Sequence, residues 1–206
     1  TAGSSGSADG TGTSASFYGP RWITSDGTNL YVADQNNHLI RKIVISTGAV
    51  TTLAGTGSSG SANGTGTSAS FNAPEGITTD ETILYVADTS NNLIRQIVIS
   101  TGVVTTVAGT GSSGSANGTG TSASFNLPQG ITTDGTNLYV TENNNHTIRQ
   151  IVISTGVVTT VAGTGSSGSA NGTGTSASFS SPYGITTDGT NLYVADMSNH
   201  LIRKIE

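Results

Sequence analysis

The chain of 206 residues carries few charges, 9% of its residues, with 12 acidic against 7 basic side chains and a formal net charge of −5. It has no basic field to condense onto phosphate, which disfavours nucleic acid as a partner, and no apolar run near the ~20 residues that span a bilayer. Cysteine is absent, which excludes disulfide staples and thiolate metal sites.

No charged-then-apolar leader stands at Thr1, and the missing initiator Met points to a processed chain or an excised segment. The polar surface comes from Ser, Thr, Asn and Gly, a composition associated with secreted bacterial proteins. The chain is therefore expected to be soluble and extracellular or displayed on a bacterial surface. Its dominant feature is a period: YVADQNNHLIRKI, from Tyr31 to Ile43, returns from Tyr85, Tyr139 and Tyr193, each copy 54 positions after the last. A fixed period of this size marks stacked units that share a continuous core. The expectation is a single domain, 1–206, with repeats 1–54, 55–108, 109–162 and 163–206.

In chain order, the first stretch, Thr1 to Ser16, is rich in Gly, Ser and Thr and would read alone as a flexible linker. Its copies from Gly57, Gly111 and Gly165 repeat SSGSANGTGTSASF letter for letter, so an ordered loop is expected, with turns at Asp9-Gly10 and the Asn-Gly pairs that follow it. Phe17, Phe71, Phe125 and Phe179 each stand three residues before a proline. They are read as plugs between neighbouring units, because a large aromatic beside a polar loop gains most by burial. Pro20, Pro74, Pro128 and Pro182 then fix the entry into a short first strand, such as Gly76–Thr79.

Asp26-Gly-Thr-Asn and its copies at Asp134 and Asp188 match a tight hairpin, leading to a second strand such as Leu30–Ala33. A four-residue loop, Gln35 to His38, joins it to a third strand, Leu39 to Ile45. After the turn Ser46-Thr47-Gly48 comes a fourth, Val50–Leu53. Each unit reads as a four-stranded antiparallel meander. The third strand, LIRKIVI, is apolar at nearly consecutive positions, which suits a sheet covered on both sides. Radial stacking of such sheets is an all-β β-propeller with the first strand along the central channel; a β-solenoid is the alternative, although its coils are usually shorter.

Asn37-His38-Leu39 and Asn199-His200-Leu201 spell the signature tripeptide of NHL repeats. The surrounding P-x-G-I, L-Y-V-A-D and N-H-L-I-R-K-I pattern resembles that family over all four units. The resemblance implies a propeller, commonly of six blades. It also implies functions from protein and RNA recognition to extracellular sensing, with a few lyase and hydrolase relatives. Unit two departs with Asn91-Asn92-Leu93 and unit three with Asn145-His146-Thr147, so only the Asn is present in every copy; unit two also replaces the hairpin Gly-Thr-Asn with Glu81-Thr82-Ile83.

The last unit stops at Glu206 after its third strand, so its blade is expected to lack the outer strand. Four blades are the lower limit for closure, and an open face with a bare strand edge invites pairing with another chain. The expected partners are a second copy closing an eight-bladed ring, or further repeats of a longer array. Monomeric closure ranks third.

Units two and three differ at ten positions, all between Ala73 and Leu93 in unit-two numbering. Across the four copies, variation concentrates around each proline and in the loop between second and third strands. Both segments are expected on one face of a propeller, and relaxed drift at exposed loops is the alternative explanation. The equally exposed Gly/Ser loop, however, barely varies. Arg21, Trp22, Glu75, Gln129 and Tyr183 are the candidate ligand contacts, because aromatic and Arg side chains carry binding energy at interfaces. Trp22 stands where the other units have Gly and could instead fill a gap at the chain end.

Chemistry beyond recognition is thin in the sequence. His38, His146 and His200 occupy one repeat slot on separate units and read as loop-ordering residues. Asp34, Asp88, Glu142 and Asp196 read as loop formers, with Arg41, Arg95, Arg149 and Arg203 as structural partners within each blade. Asp26, Asp80, Asp134 and Asp188 could form an acidic ring for a hard cation, but the hairpin explains them more simply. The Asn-Gly-Thr triplets and Asn145-His146-Thr147 also fit N-glycosylation acceptors, for which turn chemistry is the simpler reading. No catalytic residues, metal ligands or cofactors are assigned. The expectation is a non-enzymatic binding or scaffold propeller for a protein, peptide or glycan. The alternatives are a structural segment of a surface fibre or engineered repeat protein, and a metal-dependent propeller lyase or hydrolase.

Overall fold

The structure, a computed structural model, describes residues 3–206. Thr1 and Ala2, which open the first expected loop, lie outside them. Among the described residues the regular structure is β-strand with single turns of 3-10 helix. The first repeat supplies β1 (Gly10–Thr11), β2 (Pro20–Ser25), β3 (Asn29–Asp34), β4 (Leu39–Val44) and β5 (Ala49–Ala54). The second supplies β6 (Gly64–Thr65), β7 (Ile77–Thr79), β8 (Ile83–Asp88), β9 (Leu93–Val98) and β10 (Val103–Ala108). The third supplies β11 (Gly118–Thr119), β12 (Pro128–Thr133), β13 (Asn137–Glu142), β14 (Thr147–Val152) and β15 (Val157–Ala162). The last supplies β16 (Pro182–Thr187), β17 (Leu192–Asp196) and β18 (Leu201–Ile205).

Each of the first three sheets is an antiparallel meander in the order β1-β5-β4-β3-β2 or its repeat equivalent. The fold is an all-β β-propeller type, as the meander reading required. Each expected four-stranded blade also gains a two-residue strand on its outer edge, contributed by the Gly/Ser loop ahead of it, with Gly10 opposite Val50 and Thr11 opposite Ala49. The fourth sheet has three strands, β16-β17-β18, and lacks the outer strand. Strand bounds shift slightly from expectation. The third strand ends at Val44, not Ile45, and the first strand begins at its proline in three blades but at Ile77 in the second. Where the proline enters the sheet the register slips between Pro20 and Ile23, and likewise at Pro128 and Pro182. A residue without an N–H cannot hold the ladder there, and a bulge absorbs the mismatch.

The chain divides into two compact units. One reaches to Asn91 and takes in Arg95–Thr105; the other comprises Asn92–Ile94 with Thr106–Glu206. In the first, Tyr31, Ala33, Ile40 and Ala54 pack with Phe71, Ile77, Val86 and Ile97 of the following repeat. The second repeats this with Ile148 and Ala162 against Phe179, Ile185 and Val194. Phe71, Phe125 and Phe179 are fully enclosed. Phe71 and Phe179 thus fill the inter-repeat position expected of them, and each such side chain contributes about 1.5–3 kcal/mol by burial.

One arginine per blade, fully buried in the first three and partly exposed in the last, holds the Gly/Ser loop down. Arg95, on β9, donates through one terminal nitrogen to the Ser70 carbonyl at 3.2 Å and to Asp88 Oδ2 at 2.9 Å. The other nitrogen donates to the Ala62 carbonyl at 3.1 Å and to Asn63 Oδ1 at 2.9 Å. The guanidinium lies 5.3 Å from the centroid of the Phe71 ring. Arg41, Arg149 and Arg203 repeat the arrangement with Phe17, Phe125 and Phe179. In the first blade Asp9 stands for the Asn and adds a second ion pair to Arg41 at 2.8 Å. The invariant Asn completes the clamp: Asn91 Nδ2 donates to the Gly60 carbonyl at 2.7 Å and to Asp88 Oδ2 at 2.8 Å. A loop whose carbonyls and Asn side chain are all ligated by a fixed fork cannot drift freely, which gives its uniformity a physical cause.

Candidate functional site

The two divergent segments of each repeat lie side by side at one edge of the blade. The carboxylate ending the second strand anchors the proline segment: Tyr18 N–H donates to Asp34 Oδ1 at 2.7 Å, Asn72 to Asp88 at 2.8 Å, Asn126 to Glu142 at 2.9 Å and Ser180 to Asp196 at 2.7 Å. The proline segment in turn accepts from the neighbouring loop, as in Asn36 N–H to the Tyr18 carbonyl at 3.0 Å and Ser198 N–H to the Ser180 carbonyl at 3.1 Å. The loop, a 3-10 turn in the first, second and fourth repeats and a plain turn in the third, closes on a residue in the left-handed region: His38, Asn92, His146 and His200 all have φ between 54° and 58°. Asn and His are enriched in that region, which explains why this slot holds only those two.

That residue also reaches the next repeat. His38 Nδ1 accepts from Ala73 N–H at 3.0 Å, and His146 Nδ1 from Ser181 N–H at 3.0 Å. In the second unit Asn92 Oδ1 does the same for Leu127 N–H at 3.0 Å. The receiving residues are themselves left-handed, with φ of 49° to 50°. The histidines thus order the loop, as the sequence suggested, and also latch it to the repeat that follows.

Of the five candidate contacts, Arg21 and Glu75 are joined in the first unit by a residue the sequence reading left out. Exposed Arg21 donates through Nε to Gln35 Oε1 at 2.7 Å, and Gln35 Nε2 donates to Glu75 Oε1 at 2.7 Å. Gln35 stands in the variable loop, and its divergence from Thr89, Asn143 and Met197 in the same slot is the signal that could have found it. Glu75 is buried. Trp22 is partly buried against the core of the first unit and also lines a pocket of about 270 Å³ with Phe17, Ile23, Val32 and Ile43.

In the second unit, Gln129 and Tyr183 belong to adjacent first strands. The Tyr183 carbonyl accepts from Thr141 Oγ1 at 2.6 Å and packs against Gly130, where a Cβ would collide with it. This close approach leaves no room for a side chain at Gly130, whose slot in the first repeat holds Trp22. Gln129 Oε1 is enclosed without a hydrogen-bond partner.

The hairpin carboxylates sit at the other end of the blades. Asp134 Oδ1 accepts from Thr136 N–H at 2.8 Å and Asn137 N–H at 2.6 Å, while Oδ2 accepts from Tyr139 Oη at 3.0 Å. Asp26 and Asp188 are held alike, and at Asp80 the Thr82 hydroxyl stands in for the Asn amide. Burial opposes ionisation of Asp26, Asp80 and Asp134, but the combined hydrogen bonds prevail and hold these carboxyls below their ordinary range; at exposed Asp188 the backbone N–H groups dominate outright. Burial and the facing Asp26 carboxylate push the Tyr31 hydroxyl up to about 12. These oxygens are engaged by their own hairpin, as the turn reading expected. Among the described residues no three His, Asp or Glu side chains converge. The geometry at the divergent edge supplies hydrogen-bonding and stacking groups on a rigid frame.

No family model matches the chain. NHL repeat-containing protein 2 of Gallus gallus is 36% identical over 98 residues, 48% of this chain and 13% of the relative. Protein SUPPRESSOR OF QUENCHING 1, chloroplastic, of Arabidopsis thaliana is 30% identical over 200 residues, 92% of this chain. The chain spans only 19% of that protein's length. An auxiliary nutrient binding protein from Bacteroides ovatus superposes with a TM-score of 0.73 at 21% identity, covering 93% of this chain and 49% of its own. The chain is an NHL-repeat β-propeller. A virginiamycin B lyase from Staphylococcus aureus shares the fold at 21% identity and a TM-score of 0.57, covering 90% of this NHL-repeat chain and 50% of the lyase. The NHL repeats therefore establish architecture, while the activities of these longer proteins remain their own. Among the described residues of the NHL-repeat chain no helix is long and apolar enough to cross a membrane.

Proposed function

We propose that the chain is a non-enzymatic binding scaffold that recognises a protein, peptide or glycan through the divergent edge of its blades. One observation carries this reading: the copies vary at the edge where Arg21, Gln35 and Glu75 form a hydrogen-bonded chain across two repeats, while the clamped loops hardly vary. A rigid frame with variable polar and aromatic groups at one edge is the arrangement by which repeat proteins bind. The nutrient-binding protein from Bacteroides ovatus supports a binding role by likeness of fold, and the low-charge composition supports an extracellular or cell-surface location.

Screening the chain on a glycan array and against a displayed peptide library tests the proposal. Ligands found there should be lost by a variant carrying Arg21→Ala, Gln35→Ala and Tyr183→Ala, with the thermal midpoint nearly unchanged. Retention of every ligand by that variant would sink it. The structural alternative, a repeat segment without ligand, draws on the near-identity of the copies, and an empty screen favours it.

A further inference from the structure

We propose that the histidine latches make the divergent edge pH-sensitive: on protonation His38 and His146 let go of the proline segments that carry Glu75 and Tyr183, while the Asn92 latch keeps hold of the segment that carries Gln129. That this governs binding rests on the reading that the edge takes a ligand. Each latch lies within one compact unit, His38 to Ala73 in the first, Asn92 to Leu127 and His146 to Ser181 in the second.

The donor to each histidine is a backbone N–H, so the ring nitrogen facing it at 3.0 Å must offer a lone pair. An imidazolium carries a proton on both nitrogens and accepts nothing. An imidazole ordinarily takes up that second proton near pH 6.5, and both rings are half-buried, within reach of solvent. A carboxamide oxygen such as Asn92 Oδ1 accepts throughout that range. What the latches hold is strained: Ala73, Leu127 and Ser181 sit at φ of 49° to 50°, a region that non-glycine residues keep only where their surroundings impose it. Each stands two residues before Glu75, Gln129 or Tyr183. Losing the acceptor in acid therefore frees a strained backbone beside a candidate contact in two segments and not in the third.

The charges around the latches are committed elsewhere. Asp34 and Glu142, on the histidines' own blades, pair with Arg41 and Arg149. On the receiving blades Asp88 and Asp196 pair with Arg95 and Arg203, and Glu75 accepts from Gln35. Tyr183 is the titratable group of the segment that His146 holds. The Gly55 and Gly163 turns, packed on the two histidine carbonyls, carry no charge. Among the described residues neither histidine enters an ion pair.

Hydrogen exchange of the 206-residue chain, read by NMR at single amides and corrected for the intrinsic rate at each pH, tests the latches without any ligand. From about pH 7.5 to about pH 5, protection at Ala73 and Ser181 should fall at least ~5-fold relative to Leu127, as the loss of one hydrogen bond implies. In the double variant His38→Asn, His146→Asn the three amides should respond alike, and Asn92→His should transfer the acid response to Leu127. Single amides are read because Asp88, whose carboxyl burial pushes up to about 6, acts on the thermal midpoint over the same interval in the opposite direction. Protection that stays parallel at all three amides overturns the proposal. So does a fall that survives in the double variant, which would belong to Asp88. A ligand lost by Tyr183→Ala should bind wild type more weakly at the lower pH and the double variant equally at both; a ligand indifferent to pH in wild type overturns the link to binding. An exchange response with no ligand found sinks only the binding reading.

Discussion

The buried arginine is the residue on which most of each blade depends, because it satisfies loop carbonyls, a strand carboxylate and an aromatic face at once. Arg95 and Asp88 are both fully enclosed, so removing the cation leaves a buried carboxylate without its counter-charge and the Ser70 carbonyl without the donor it has from Arg95. Breaking a buried pair from one side costs about 3–5 kcal/mol, and Arg95→Met should lower unfolding free energy by that order in urea titration. A surface role for Arg95 would leave the midpoint unmoved. The latch residues predict a finer contrast. The second repeat already uses Asn92 where the first uses His38, and both accept a backbone N–H at 3.0 Å. His38→Asn should therefore be nearly silent, while His38→Ala should cost about 1 kcal/mol through the lost acceptor.

Among the elements, the hairpin of the second repeat is the one built against its own geometry. Gly27, Gly135 and Gly189 take φ between 84° and 89° at the hairpin tip, and Glu81 is forced to 76° in the same slot. Nothing lies within 4 Å of a Cβ built on any of those glycines, so the penalty at Glu81 is conformational and not steric. Glu81→Gly should raise stability by about 1 kcal/mol, read as a higher thermal midpoint; an unchanged or lower midpoint would mean the turn relaxes in solution. The sequence made this departure visible because three copies spelled Asp-Gly and one did not. The meanders, the inter-repeat phenylalanines, the hairpin aspartates and the truncated last sheet were legible for the same reason, since period and alternation act locally. The two-residue edge strands were not, because two residues in a Gly/Ser-rich loop are too few to show an alternating pattern, and their pairing is set by the clamped loop. Nor was the Gln35 bridge, which joins residues 14 and 40 positions apart and leaves no periodic trace.

On the scale of the whole molecule, the electrostatic terms of the repeats act in opposite directions with pH. Asp26, Asp80, Asp134 and Asp188 are held below the ordinary carboxylate range by their hairpins. They contribute stability that is present above about pH 4 and is lost as acid protonates them. Asp88 behaves oppositely. Burial pushes its carboxyl from 3.8 up to about 6, outweighing the hydrogen bonds from Asn72 and Asn91 and the facing Arg95 charge. Its contribution is complete below its unfolded value and disappears as pH rises through about 6. The thermal midpoint should therefore climb modestly on acidification from pH 7 to about 5 and then fall below pH 4. Asp88→Asn, which keeps the shape and removes the titration, should flatten the upper part of that curve and leave the acid limb intact. A midpoint that falls steadily from pH 7 downward would show that the Arg95 pair, and not burial, governs Asp88.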